Sequence, residues 1–129
     1  MARGKERHDA RQAAVAALGK NLSRRAGSRC ELCGADTELR VFEVLPDEEG
    51  PHEEAAILAC GRCRGHFDAR RLHDDELRHL EGVAWSEVAP VQLAAVLLLR
   101  RLADAEVGWA RDLLDTLWIP DEVRDRLPG

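Results

Sequence analysis

Hydrophobic and polar positions change period along this chain, and the changes divide it into elements. Residues Asp9 to Ala26 read as a helix, with alanines at 10, 13, 14, 16 and 17, Asp9 placed to cap the start and Gly27 where a left-handed terminator belongs. Its apolar stripe is thin, Val15, Leu18 and Leu22 at i, i+3 and i+7, enough to dock on a surface but weak for independent folding. The period then shortens. Leu39 to Leu45 and Ala55 to Ala59 predict two strands of a hairpin, and Pro46 to Glu54, with its turn formers and five acids, predicts a solvated loop at the tip.

Beyond Cys63 the composition is helical. His66 to Leu72 and Asp74 to Leu80 read as short helical stretches ended by Gly82, and a longer helix starts at Ser86, a capping residue, with Pro90 tolerated in its first turn. Leu97, Leu98 and Leu99 point to three sides of that helix, so residues 91–102 are expected to lie centrally or to be covered by a second subunit or another protein. Trp109, Leu113 and Leu117 repeat at i, i+4 and i+8 with Arg111, Asp112 and Asp115 outward, and Ile119-Pro120 stops that helix and starts a short one. Trp85, Trp109 and Trp118 are expected to anchor the core. The whole predicts an α+β chain: a basic N-terminal helical arm over 1–27, a small treble-clef or zinc-ribbon-like four-cysteine module (hairpin plus helix) over 28–72, and a helical region over 73–129 packed on it.

Composition narrows the class without changing that picture. At 129 residues the chain is long enough to bury a core unaided, so a metal is not needed merely to fold it. The longest apolar run, Ala89 to Leu99, falls short of the roughly 20 residues of a membrane span. The first residues lack a secretory apolar core, so a cytoplasmic location with reduced thiols is expected.

Charge does change the picture. Residues 1–29 carry eight basic side chains and two acids, a balance of +6, while residues 30–129 carry 11 basic and 22 acidic, a balance of -11. Arg3, Lys5, Arg7, Arg11, Lys20, Arg24, Arg25 and Arg29 are therefore candidate contacts to DNA or RNA. The same arm also suits a solubilising tail, or docking on the chain's own acidic body.

All four cysteines fall into two Cys-x-x-Cys pairs, Cys30/Cys33 and Cys60/Cys63, with 26 residues between the inner members. Each pair places two thiolates at one side of a tetrahedron, because two intervening residues make a tight turn whose amides face the sulfurs. Gly34 and Gly61 suit positive backbone dihedrals in such turns. Four thiolates favour one structural Zn2+, with iron, two redox pairs and a disulfide framework as alternatives. A knuckle, a hairpin and a second pair opening into helix is the order of a treble clef, whereas a zinc ribbon follows the second pair with another strand.

Metal-dependent nucleases with a His-Asn-His site use that scaffold and need a histidine base at the end of the first hairpin strand. Here that stretch is Val41-Phe42-Glu43-Val44, without the base; His66 and Glu43 are the only remnants of such a site, and His52, His73 and His79 share no ligand spacing.

Ser28-Arg29-Cys30-Glu31-Leu32-Cys33-Gly34, Val41 to Pro46, Leu58 to Cys63, Trp85-Ser86-Glu87-Val88 with Val91-Gln92, and Gly108 to Asp115 together resemble the PhnA (YjdM) family of zinc-ribbon proteins, from about Ser28 to Trp118. The resemblance implies a zinc-binding module on Cys30, Cys33, Cys60 and Cys63. The family takes its name from an operon for alkylphosphonate use, and that label establishes no phosphonate chemistry. The chain departs from the family pattern at Ala89, which precedes Pro90, and at Leu77 and His79, where Trp and Cys are usual. The expected function is that of a non-enzymatic zinc module contacting nucleic acid or protein. The alternatives are an HNH-like or phosphonate-directed hydrolase and an oligomeric scaffold.

Overall fold

The computed structural model describes residues 2–129, with side chains from Gly4 onward; the expected contact Arg3 therefore lies outside the described side chains. Helix α1 spans Ala2–Ala26, strands β1 and β2 span Arg40–Glu43 and Ala56–Ala59, and α2 spans Gly61–Asp68. Short helices α3 (Leu80–Val83) and α6 (Asp121–Arg124) flank the longer α4 (Ala89–Asp104) and α5 (Gly108–Thr116), and 3-10 turns occupy Glu53–Ala55 and Asp74–Leu77. The chain is thus α+β, dominated by helix, with one antiparallel hairpin in the register Arg40↔Ala59 and Phe42↔Ile57. Among the described residues no helix is long and apolar enough to cross a membrane.

β2 explains the layering. All four of its residues are buried, and their alternation divides them between two clusters. Ile57 and Ala59 face the main core around α4, while Ala56 and Leu58 face α1, where Leu22 is buried and Leu18 packs beside it. The thin stripe of α1 is therefore spent on the back of the hairpin. α1 ends at Gly27 (φ +64), with the Ser28 amide donating to Ser23 O at 2.9 Å and the Gly27 amide to Arg24 O at 3.4 Å, the paired bonds of a Schellman terminator.

α4 is the centre of the body. Ten of its residues, from Pro90 to Leu102, are buried beneath neighbours within the same chain. The all-round apolar character of residues 91–102, which raised the prospect of a second subunit, is accounted for by the chain's own α3, α5, α6 and hairpin. Arg101 reaches from α4 to the last carbonyls of α2, donating to His66 O at 2.9 Å and Ala69 O at 2.5 Å. These are groups that a helix end leaves unpaired.

Several sequence expectations are corrected. α1 begins at Ala2, so Asp9 lies inside the helix and is no cap, because Lys5, Glu6 and Arg7 sustain the helix upstream of it. Ser86 does not cap α4: Val88 stands at the cap, and Ser86 Oγ accepts from the Val88 amide at 3.1 Å to form the turn before it. Gly82 lies within α3 and does not end the segment. α5 stops at Thr116, ahead of Ile119-Pro120, while Pro120 does stand at the start of α6 as expected.

Two of the three tryptophans are not core anchors. Trp109 is partly buried and packs against the main core, but Trp85 is 52% exposed and Trp118 73%, because aliphatic residues fill the interior and these two indoles remain at its rim. The acidic loop is also more organised than a solvated tip. Asp47 accepts from the Gly50 amide at 2.8 Å and pairs with His52 at 2.8 Å, while Arg11 of α1 donates to Asp47 O at 2.8 Å.

Candidate metal centre

The four cysteine sulfurs converge. Every Sγ of Cys30, Cys33, Cys60 and Cys63 lies within 4.8 Å of the others, and those of Cys33 and Cys60 are 3.6 Å apart. Tetrahedral zinc with bonds of about 2.3 Å sets its sulfurs about 3.8 Å apart, so the cluster has the size of a four-thiolate site. Cys30, Cys60 and Cys63 are buried and Cys33 is exposed.

Local structure aims each pair. In the first, the Gly34 amide donates to Cys30 O at 2.9 Å and the Cys30 amide to Ala35 O at 2.7 Å, a turn completed by Gly34 at φ +83. In the second, Cys60 is the cap of α2, and its sulfur accepts from the Cys63 amide at 3.4 Å. The sulfur thus takes up one of the amides that the first turn of a helix leaves without an intrahelical partner. Gly61 needs no positive φ, contrary to expectation. It opens α2, and a Cβ there would stand 2.6 Å from Glu38 Oε2.

Crowding separates the thiols. Contact with the Cys63 thiol draws the Cys30 pKa down to about 4, and the same contact, with burial behind it, pushes Cys63 up. Burial also raises Cys33. A dication bound among them would supply the positive charge that four neighbouring thiolates need.

A feature invisible to motif reading holds the first pair in place. Glu31, whose side chain is only 6% exposed, accepts both arms of Arg25 from α1, at 2.7 and 2.8 Å. Its Oε2 accepts from the Leu58 amide at 2.8 Å, and its own amide donates to Leu58 O at 2.9 Å. Arg25 also donates to Ala56 O at 3.0 Å. The knuckle, α1 and β2 are thereby joined by one charged, mostly enclosed network. The Glu between Cys30 and Cys33 and the Arg six residues earlier were visible in the sequence, but nothing there marked them as partners.

The remaining expected residues divide. Arg11 pairs with Glu43 at 2.5 Å, and Arg29 donates to Gly34 O at 3.3 Å. Of the basic arm, Arg11 and Arg25 thus serve the chain's own carboxylates. Lys5, Arg7, Lys20 and Arg24 are exposed and make no side-chain hydrogen bond or ion pair among the described residues. Glu43 is therefore held by Arg11, and His66 is buried with its backbone carbonyl engaged by Arg101.

His79 stands apart. Its Nε2 is fully enclosed and, among the described residues, has no hydrogen-bond partner. Burial lowers the pKa of both His66 and His79, so the unfolded chain takes up protons first as pH falls below about 6.5, and stability is lost in that direction. We expect His79→Leu to raise stability by about 1 kcal/mol at pH 7.5 by removing the unpaired group. The variant should also lose less stability than the parent between pH 7.5 and 5.5, as urea midpoints of both zinc-loaded proteins will read. Compared with family models, with curated proteins and with solved structures, the chain gives no significant match to any.

Proposed function

We propose that this chain is a non-enzymatic, PhnA-like zinc-binding module in which Cys30, Cys33, Cys60 and Cys63 hold one structural Zn2+ in a treble-clef arrangement. The observation that carries this reading is the convergence of four sulfurs from a knuckle and a helix cap on either side of a hairpin. Four protein thiolates close a tetrahedron and leave no position for substrate. The missing histidine in Val41 to Val44 and the Arg11 clamp on Glu43 weigh against an HNH-like or phosphonate-directed hydrolase. Elemental analysis should find one zinc per chain, and Co2+ substitution should give a tetrahedral tetrathiolate spectrum. Iron, or two disulfides in the purified protein, would overturn the assignment.

A second reading concerns nucleic acid and is supported by Lys5, Arg7, Lys20 and Arg24 of α1, exposed cations without a side-chain partner among the described residues. Four phosphate contacts predict a loss of roughly 100-fold in affinity for labelled DNA or RNA between 50 and 200 mM salt. Anisotropy titrations should show that slope, and replacement of the four residues by Gln should abolish it. Binding that is absent, or that survives the replacement unchanged, removes this reading.

A further inference from the structure

We propose that the groove between Trp85 and Trp118 is a recognition site for an arginine- or lysine-bearing segment of a partner protein. The groove has a volume of about 460 Å³ and lies between the α3–α4 turn and the segment entering α6, with Glu87 and Glu122 also in its lining. Two indoles this exposed, 52% and 73%, in one concavity present aromatic faces to solvent where a buried role would have hidden them. The face of an indole attracts cations, and arginine most often.

The third tryptophan shows the contrast within the same chain. The Arg78 guanidinium lies 4.7 Å from the centroid of the Trp109 ring, and Trp109 Nε1 donates to Asp74 at 3.3 Å. No such cation covers Trp85 or Trp118 among the described residues. The nearby Arg124 is occupied, with its Nη2 donating to Ile119 O at 2.9 Å and its Nη1 3.6 Å from Asp121.

The groove floor adds a directed acceptor. Buried Gln92 donates its Nε2 to Ala84 O at 3.0 Å and to Trp118 O at 3.2 Å. Both partners are carbonyl oxygens, which fixes the orientation of the carboxamide. Its Oε1 accepts no hydrogen bond among the described residues and is not fully enclosed, and Gln92 lines the groove. Two aromatic faces, two carboxylates and one carbonyl acceptor match a guanidinium or ammonium group and repel phosphate. The same bonds tie the two tryptophan-bearing segments together, so the site is held by the core helix α4.

The proposal goes beyond the structural metal and does not depend on it. Its test uses the full zinc-loaded chain and the peptide Ac-(Gly-Arg)3-NH2, followed through the three indole N–H resonances. We expect Trp85 and Trp118 to shift and Trp109 to stay, with the citrulline isostere of the peptide giving no shift. Trp118→Ala should weaken binding about fivefold, the size of one cation–aromatic contact. A Glu87→Gln/Glu122→Gln double variant, whose changes lie at the surface, should weaken it further at low salt. Equal shifts at all three indoles, unaltered affinity in both variants, or a stronger response of Trp85 and Trp118 to a single-stranded oligonucleotide would overturn the proposal. Zinc content of the same samples tests the metal reading separately.

Discussion

Cys30→Ser, or removal of zinc by a chelator, should uncouple the hairpin and α1 from the helical body while much of α4 to α6 remains helical. Structural zinc in small modules contributes on the order of 10 kcal/mol of folding free energy. Here the loss falls on one part of the chain. Cys30 and Cys33 lie in the knuckle, Cys60 caps α2, and the hairpin runs between them, so a metal held by the four sulfurs would be the common support of these pieces. α4 packs on the hairpin as well, but α3, α5 and α6 also enclose it through contacts that need no metal. The expected result is a two-step thermal transition in circular dichroism, with early loss of amide protection in residues 30–60 by hydrogen exchange. A single unchanged transition in the metal-free protein would contradict it.

Arg25→Ala should cost about 3 kcal/mol, more than a surface ion pair could account for. Its carboxylate partner, Glu31, is 6% exposed and would be left with only the Leu58 amide beside it. The Ala56 carbonyl would lose its side-chain donor as well. Glu31→Gln is the informative companion, since it keeps the shape and removes the charge. The Arg25→Ala/Glu31→Gln double variant should lose less than the two single changes together, because each alone strands a charged partner. Guanidinium midpoints of the four zinc-loaded proteins measure this coupling, and strict additivity would show that the pair is not a unit.

The hairpin, the two cysteine pairs and the central helix were legible in the sequence because each leaves a local signal. Alternation places Ile57 and Leu58 on opposite faces, the Cys-x-x-Cys spacing sets two sulfurs at one turn, and leucines at 97, 98 and 99 require enclosure. What escaped is long-range and aperiodic. Arg101 on the α2 carbonyls and Arg25 on Glu31 join positions far apart or in different elements, and an arginine that ends in such a bond has the same local pattern as one in solvent. Trp85 and Trp118 escaped for a different reason. Their size argues for burial, yet the buried positions around α4 are filled mostly by Leu, Val and Ala, and these two indoles take the rim while Trp109 packs on the core. The start of α1 was missed because a capping residue, Asp9, sits within a run of good helix formers.

A two-stranded sheet has two open edges, and that of β2 is closed largely by the Cys30–Cys33 knuckle and α1. On the side away from β1, the Leu58 amide and carbonyl are taken by Glu31, the Ala56 carbonyl by Arg25 and the Ala56 amide by Glu53 O, so the outward groups of this apolar strand are engaged. Edges left bare in this way template pairing with other chains. Loss of the metal therefore does more than weaken the fold: it exposes Ala56 to Ala59 as a sticky template, and zinc-starved chains should aggregate by strand addition before they fully unfold.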